Sequence, residues 1–236
     1  MKLNGSQLQL IKAKARRLTT LIGRYKQAYT IQGALLKLSE LASTISDMRE
    51  FYPAIHKMVS ELLHAENFYV VLYEMGTEQY QLQYFSDEKD QQYIKQVPST
   101  AFSSGLTGYV TKTGKPLLCD KNQFNAMIAN GDIRAQGSEC THWMGIPLWR
   151  DEQLIGVMAI QTYDSDYRYG DQELAMFLSI GGHTVTALDR VKSRELLELT
   201  VQERTQQLQL INQSLQKEIK ERTNAERLQA ALYEIS

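Results

Sequence analysis

Cysteine is nearly absent. Cys119 and Cys140 are the only two in 236 residues, and no CxxC pair occurs. Neither a disulfide scaffold nor a thiolate zinc site is therefore indicated, and both thiols read as buried or idle. The four histidines, His56, His64, His142 and His183, are isolated and form no HExxH pair, so no convergent metal-ligand set is indicated. The net charge of −1 supplies no overall attraction to nucleic acid or acidic lipid. Glycine-rich phosphate loops and nucleic-acid motifs are missing. Long apolar runs are missing too: nothing approaches the roughly 20 residues that cross a bilayer, and Met1 to Arg17 has no apolar signal-peptide core. The expectation is a cytoplasmic chain with no membrane segment and no nucleic-acid partner.

What is present suffices for one core of ordinary size, plus helices that need a partner, at 43% hydrophobic residues. No proline precedes Pro53, and Leu35, Leu38, Leu41, Ala42 and Ile45 recur at helical spacing, so Gln7 to Met48 is expected to be mostly helical. Its basic residues, Lys12, Lys14, Arg16, Arg17, Arg24 and Lys26, read as a solvated face. Pro53 fits the first turn of a second helix running through Ile55, Met58, Val59, Leu62 and Leu63. Phe68 to Met75 and Gln79 to Phe85 then give a hairpin signal across Gly76-Thr77-Glu78. Lys112-Thr-Gly-Lys-Pro116 reads as a helix end, with Gly114 just past it. Two more strand-like runs follow, WMGIPLW from Trp143 and LIGVMAIQT from Leu154, separated by the charged turn Arg150 to Gln153. The order predicts an α+β fold: an antiparallel sheet of five or six strands with helices on one side.

From Asp171 to the C-terminus the pattern is one very long helix. Leu174, Phe177, Leu178, Ile180, Gly181, Val185 and Leu188 form its first stripe, and Gly181-Gly182 in mid-helix predicts close packing against another element. Beyond Arg194 the composition turns charged and glutamine-rich, while Leu197, Val201, Leu208, Ile211 and Leu215 keep near-heptad spacing. Ile219 adds an extra step, a stutter, before the seam continues through Ala225, Leu228, Leu232 and Ile235. So polar a helix needs a partner for its stripe. A parallel dimeric coiled coil supplies one, with Arg204, Glu218 and Arg222 near the seam setting register; a helix folded back on the same chain is the alternative. QGALLKLS at Gln32 to Ser39 is echoed by QAALYEIS at Gln229 to Ser236, which reads as the start of a second copy of the module in a longer tandem protein.

Taken together, NFYVVLYE from Asn67, QYFSDEKD from Gln83, SGLTGYVTKTGKPLLCD from Ser104 and the run from Trp143 to Arg190 resemble a GAF domain over about residues 30 to 192. This version is similar to GAF modules found ahead of diguanylate cyclase and histidine kinase domains in bacteria. VQERTQQLQLINQSLQKEIKERTNAERL from Val201 resembles the signalling helix that joins such modules to their outputs. The resemblance implies a six-stranded antiparallel sheet with helices on one face. It also implies a ligand pocket on the other face, roofed by Phe102 to Asp132, and dimerisation through the terminal helices. The expected organisation is an N-terminal helix (1–29), a GAF domain (30–192), a coiled-coil signalling helix (193–228) and the start of a second, truncated GAF module (229–236). No GGDEF run and no phosphoacceptor-histidine helix with an ATP-binding domain occurs in these residues.

For the pocket, Phe102, Tyr109, Phe124, Met127, Trp143 and Met144 are candidate apolar lining. Asp120, Asn125 and Thr141 are candidates to orient a polar ligand. The ligand-binding set is Phe102, Tyr109, Asp120, Phe124, Met127, Thr141 and Trp143; the dimer set is Leu197, Val201, Leu208, Ile211, Leu215, Ile219 and Leu228. Cys140-Thr141-His142 is only a distant echo of a chromophore-attachment site, and the cyclic-nucleotide signature of some GAF modules has no clean place here, so no cofactor is assigned. With two cysteines and no catalytic motif, the chain is not expected to be an enzyme. The expectation is a cytoplasmic sensory homodimer that binds a small molecule and signals to a downstream output domain, diguanylate cyclase favoured over histidine kinase. The alternative is a ligand-free dimerisation scaffold whose pocket is filled by side chains.

Overall fold

The computed structural model describes residues 5–45, 47–74, 76–77, 79–92, 94 and 99–234. The chain divides into two compact units, Met1–Val191 and Lys192–Ser236.

In the first unit, helix α1 (Gly5–Thr44) and helix α2 (Met48–Ser60) precede the hairpin β1 (Asn67–Glu74) and β2 (Gln79–Ser86). A 3-10 turn at Ser99–Ser104 leads into α3 (Leu106–Thr113), β3 (Leu117–Asp120) and α4 (Lys121–Ala129). Strands β4 (His142–Arg150) and β5 (Gln153–Thr162) are followed by α5 (Asp171–Glu234), which runs on into the second unit. All neighbouring strands pair antiparallel in the order β2-β1-β5-β4-β3. The sheet thus has five strands among the described residues, not the six implied by the resemblance.

Local chemistry sets several boundaries. Asp47 caps α2 by accepting from the Arg49 amide, so the helix starts five residues before Pro53. Pro53 therefore lies inside α2 rather than in its first turn, and Leu62 and Leu63 sit in the turn after it, their amides donating to the Val59 carbonyl. Gly114 ends α3 in the left-handed region (φ 63°), as the Lys112 to Pro116 run predicted. Pro147 lies in β4 beyond the four residues paired with β3, where the strand has a neighbour on one side only and a missing N–H is tolerated.

Alternation along the strands divides the hydrophobic residues between two faces. Phe68, Val70, Met144, Ile146, Leu148, Met158 and Ile160 join the main core with Leu38 and Ala42 of α1, Phe51, Ile55 and Val59 of α2, and Phe177, Ile180 and Leu188 of α5. The opposite face carries a smaller cluster of Val110, Cys119, Trp143, Val157 and Ala159, with Leu106, Phe124 and Met127 packed against it. Trp143 and Met144 cannot line one cavity, because neighbours on a strand face opposite ways; Met144 belongs to the helix-side core. Gly181 meets the expectation of close packing, since a Cβ there would collide with Ile146 Cδ1. Gly182 does not, having nothing within 4 Å.

The second unit is the continuation of α5 as one helix to Glu234, so it contains no helical hairpin among the described residues. Leu197, Val201, Leu208, Ile211, Leu215 and Ile219 are between 52% and 67% exposed. The side chain of Leu228 and residues 235–236 lie outside the described residues.

Candidate functional site

On the sheet face away from the main core, a cavity of about 100 Å³ lies beneath α3 and the 3-10 turn. Its floor depends on two small residues. Tyr69, Ala159, Gly145 and Leu117 form one row across β1, β5, β4 and β3. A Cβ on Gly145 would collide with the Trp143 ring, so the indole lies over Gly145. Its Nε1–H donates to the Tyr69 phenol oxygen (3.1 Å), and that hydroxyl shares a hydrogen bond with Thr107 Oγ1 at 3.0 Å. Sheet and first turn of α3 are thereby tied together. The 3-10 turn presses onto α3 at Gly108, where a Cβ would run into the Ser103 carbonyl.

One wall is polar. Asp87, 5% exposed, accepts from the Lys89 and Asp90 amides, from Gln161 Nε2 (2.6 Å) and from the Tyr163 hydroxyl. Asp90, 8% exposed, accepts from the Ser138 amide (2.8 Å) and Ser138 Oγ (2.7 Å). Nearer the surface, the Arg134 amide donates to the Ser104 carbonyl and Gln136 Nε2 to Ser104 Oγ, which fastens the 131–141 loop to the roof.

Burial governs the titratable groups here. It pushes the Tyr69 phenol up to about 12, its hydrogen bonds to Thr107 and Trp143 opposing the shift. Burial also pushes the Cys140 thiol up to about 12 and the Cys119 thiol up to about 11. Tyr163 is raised by burial and then by the Asp87 carboxylate beside it.

Of the seven residues predicted to bind ligand, Phe102, Phe124 and Trp143 line the cavity. The other four lie outside its lining. Tyr109 is half-buried on α3. Asp120 caps α4, accepting from the Gln123 amide in a capping box. Met127 packs on the smaller cluster. Thr141 donates to the carbonyls of Thr162 and Asp164. Asn125 is exposed on α4. Sequence reasoning missed Tyr69, Phe85, Asp90, Arg134 and Gln161, which all line the cavity. For Gln161 a signal existed: it is a polar residue closing the apolar run from Leu154.

A family model described as GAF domain matches residues 46–189. No curated protein matches the chain. Among solved structures, the chain is similar to the GAF domain of a phosphoenolpyruvate-protein phosphotransferase from Coxiella burnetii, at 15% identity over 71% of this chain and 97% of that one, with a TM-score of 0.56. The corresponding domain from Acinetobacter gives 13% identity, 71% and 95% coverage, and 0.54. Free methionine-R-sulfoxide reductase from Neisseria meningitidis, in complex with its substrate, gives 14%, 71%, 93% and 0.54. Identities this low show a shared fold and nothing finer. With the family model matching more than half of its residues, the chain belongs to the GAF domain family, a family of sensory modules of signalling proteins.

Proposed function

We propose that this chain is a cytoplasmic sensory module that binds a small molecule in the cavity under α3 and signals through α5. The carrying observation is the cavity itself: apolar rings below, fixed polar groups on one wall, and a roof built from separate segments. Small-molecule sites combine these features, a mostly apolar concavity with a few convergent polar groups. The apolar stripe on α5 favours a homodimer through the terminal helices, each helix supplying the other's missing partner. In the parent protein the receiver of the signal is an output domain, diguanylate cyclase in preference to histidine kinase, that carries the catalytic step. No chemistry is assigned to the chain itself: burial pushes both thiols further from the reactive thiolate form.

A second reading has one observation in its favour. The Trp143 indole donates to Tyr69, whose hydroxyl shares a bond with Thr107, which suits a scaffold closed by its own side chains. Native mass spectrometry of the protein purified without denaturation separates the two. A dimer carrying an extra defined mass is expected. A ligand-free dimer, with output unchanged in Trp143→Ala and Phe124→Ala variants of the parent protein, favours the scaffold, and a monomer overturns the role given to the helices.

A further inference from the structure

We propose that the cavity selects a small zwitterion whose methylated ammonium lies among the aromatic faces beside Asp90 and whose carboxylate meets Arg134. The inference rests on the cavity being a ligand site and adds the ligand's chemical class.

Five aromatic rings, Tyr69, Phe85, Phe102, Phe124 and Trp143, line this one small space. A ring face is electrically negative and attracts a cation, most strongly where water is excluded. The wall adds to that potential. Asp90 lines the cavity and Asp87 stands behind Gln161. Among the described residues neither carboxylate forms an ion pair. Buried charges are ordinarily paired, so this wall offers a complement to an incoming cation. The nearby Lys89 ammonium lies 4.0 Å from the centre of the Tyr163 ring and is not part of the lining.

The type of cation follows from the donors and acceptors. A primary ammonium needs three acceptors, whereas five of the lining side chains are aromatic and the Asp90 carboxyl already takes two bonds from Ser138, one on each oxygen. A methylated ammonium, bulky and weakly hydrated, suits π faces better. The other end of the ligand is set by Arg134, an exposed lining residue with no ion pair among the described residues. A guanidinium binds a carboxylate in bidentate fashion and disfavours a ligand that is only a cation.

The test is calorimetric titration of the full chain, dialysed free of any retained mass, with three probes: glycine betaine, choline, and 3,3-dimethylbutanoate, in which carbon replaces the betaine nitrogen. Glycine betaine should bind about ten-fold more tightly than its carbon isostere, as a desolvated cation–π site predicts. Phe124→Leu keeps apolar volume while removing a ring face, and should narrow that gap. Arg134→Gln should weaken betaine binding and leave choline binding unchanged. Equal or tighter binding of 3,3-dimethylbutanoate overturns the zwitterion and leaves the sensory reading standing. Failure of all three probes also overturns it, and the sensory reading falls with it only if native mass spectrometry shows no retained mass either.

Discussion

The Trp143 indole reaches Tyr69 across an intervening strand: β4 and β1 are separated by β5, yet Trp143 Nε1 lies 3.1 Å from the Tyr69 oxygen. The span is possible because the residues under it, Gly145 and Ala159, are small and lie in one row with Tyr69. The bond makes two strands and α3 answer to one side chain, and it can be tested directly.

Tyr69→Phe removes the acceptor of the indole N–H and the partner of Thr107, leaving buried polar groups unpaired. The expected loss is about 1–3 kcal/mol in urea unfolding. Pairing it with Trp143→Phe in a double-mutant cycle should recover part of that loss, and strict additivity would show the two residues to be uncoupled.

Gly145→Ala places a methyl where the Trp143 ring lies. Overpacking of this kind costs about 1–3 kcal/mol, and the displaced indole should shift the protein's tryptophan emission. An unaltered spectrum and midpoint would contradict the position assigned to the ring.

The adjacent glycines of α5 should respond with opposite signs. Gly182 is exposed with nothing within 4 Å, so Gly182→Ala should stabilise by about 0.5–1 kcal/mol through helix propensity. Gly181→Ala forces the buried Ile146 side chain from its place, and should unfold at least about 1 kcal/mol more easily than Gly182→Ala. Denaturant midpoints of the two variants decide it.

Alkali should weaken the fold. Cys119, Cys140 and Tyr69 ionise at higher pH when folded, about 11, 12 and 12, against ordinary values of 9, 9 and 10. The unfolded chain therefore releases these protons first, so stability is complete below pH 9 and falls as pH rises from there to 12. Urea midpoints across that range should decline, and both thiols should react slowly with a thiol reagent at pH 8 until denaturant is added.

Charging the exposed stripe tests the proposed dimer. Leu208→Lys combined with Leu215→Lys should yield monomers by sedimentation while leaving the unfolding of the first unit unchanged. In the longer signalling protein proposed above, insertion of whole heptads near Ile219 should preserve signalling, whereas shifts of three or four residues should alter it. Equal output from every insertion would remove the stutter from the mechanism.

The fold was largely legible because its signals are periodic. The apolar runs of β4 and β5 and the helical stripes of α1, α2 and α5 each bury a face that the sequence displays. The site was less legible because its parts are neither periodic nor contiguous. Trp143 and Phe124 announce themselves as aromatics, but Tyr69 stands beside Phe68, and a single strand does not reveal which of the two faces the cavity. Asp90 and Arg134 come from loops, where no repeat marks an inward residue. Asp120 misled for the opposite reason: its signature, Asp followed three residues later by Gln123, was that of a helix cap.

The separation of the two faces has an evolutionary consequence. Phe102, Asp90, Arg134 and Gln136 sit on segments that add nothing to the helix-side core. If the cavity is the ligand site proposed above, mutations there would exchange one chemical preference for another without disturbing the core on which α2 and the start of α5 rest. As the proposed sensor, such a module could be retuned to a new molecule by small steps, while whatever its outgoing helix serves is inherited unchanged.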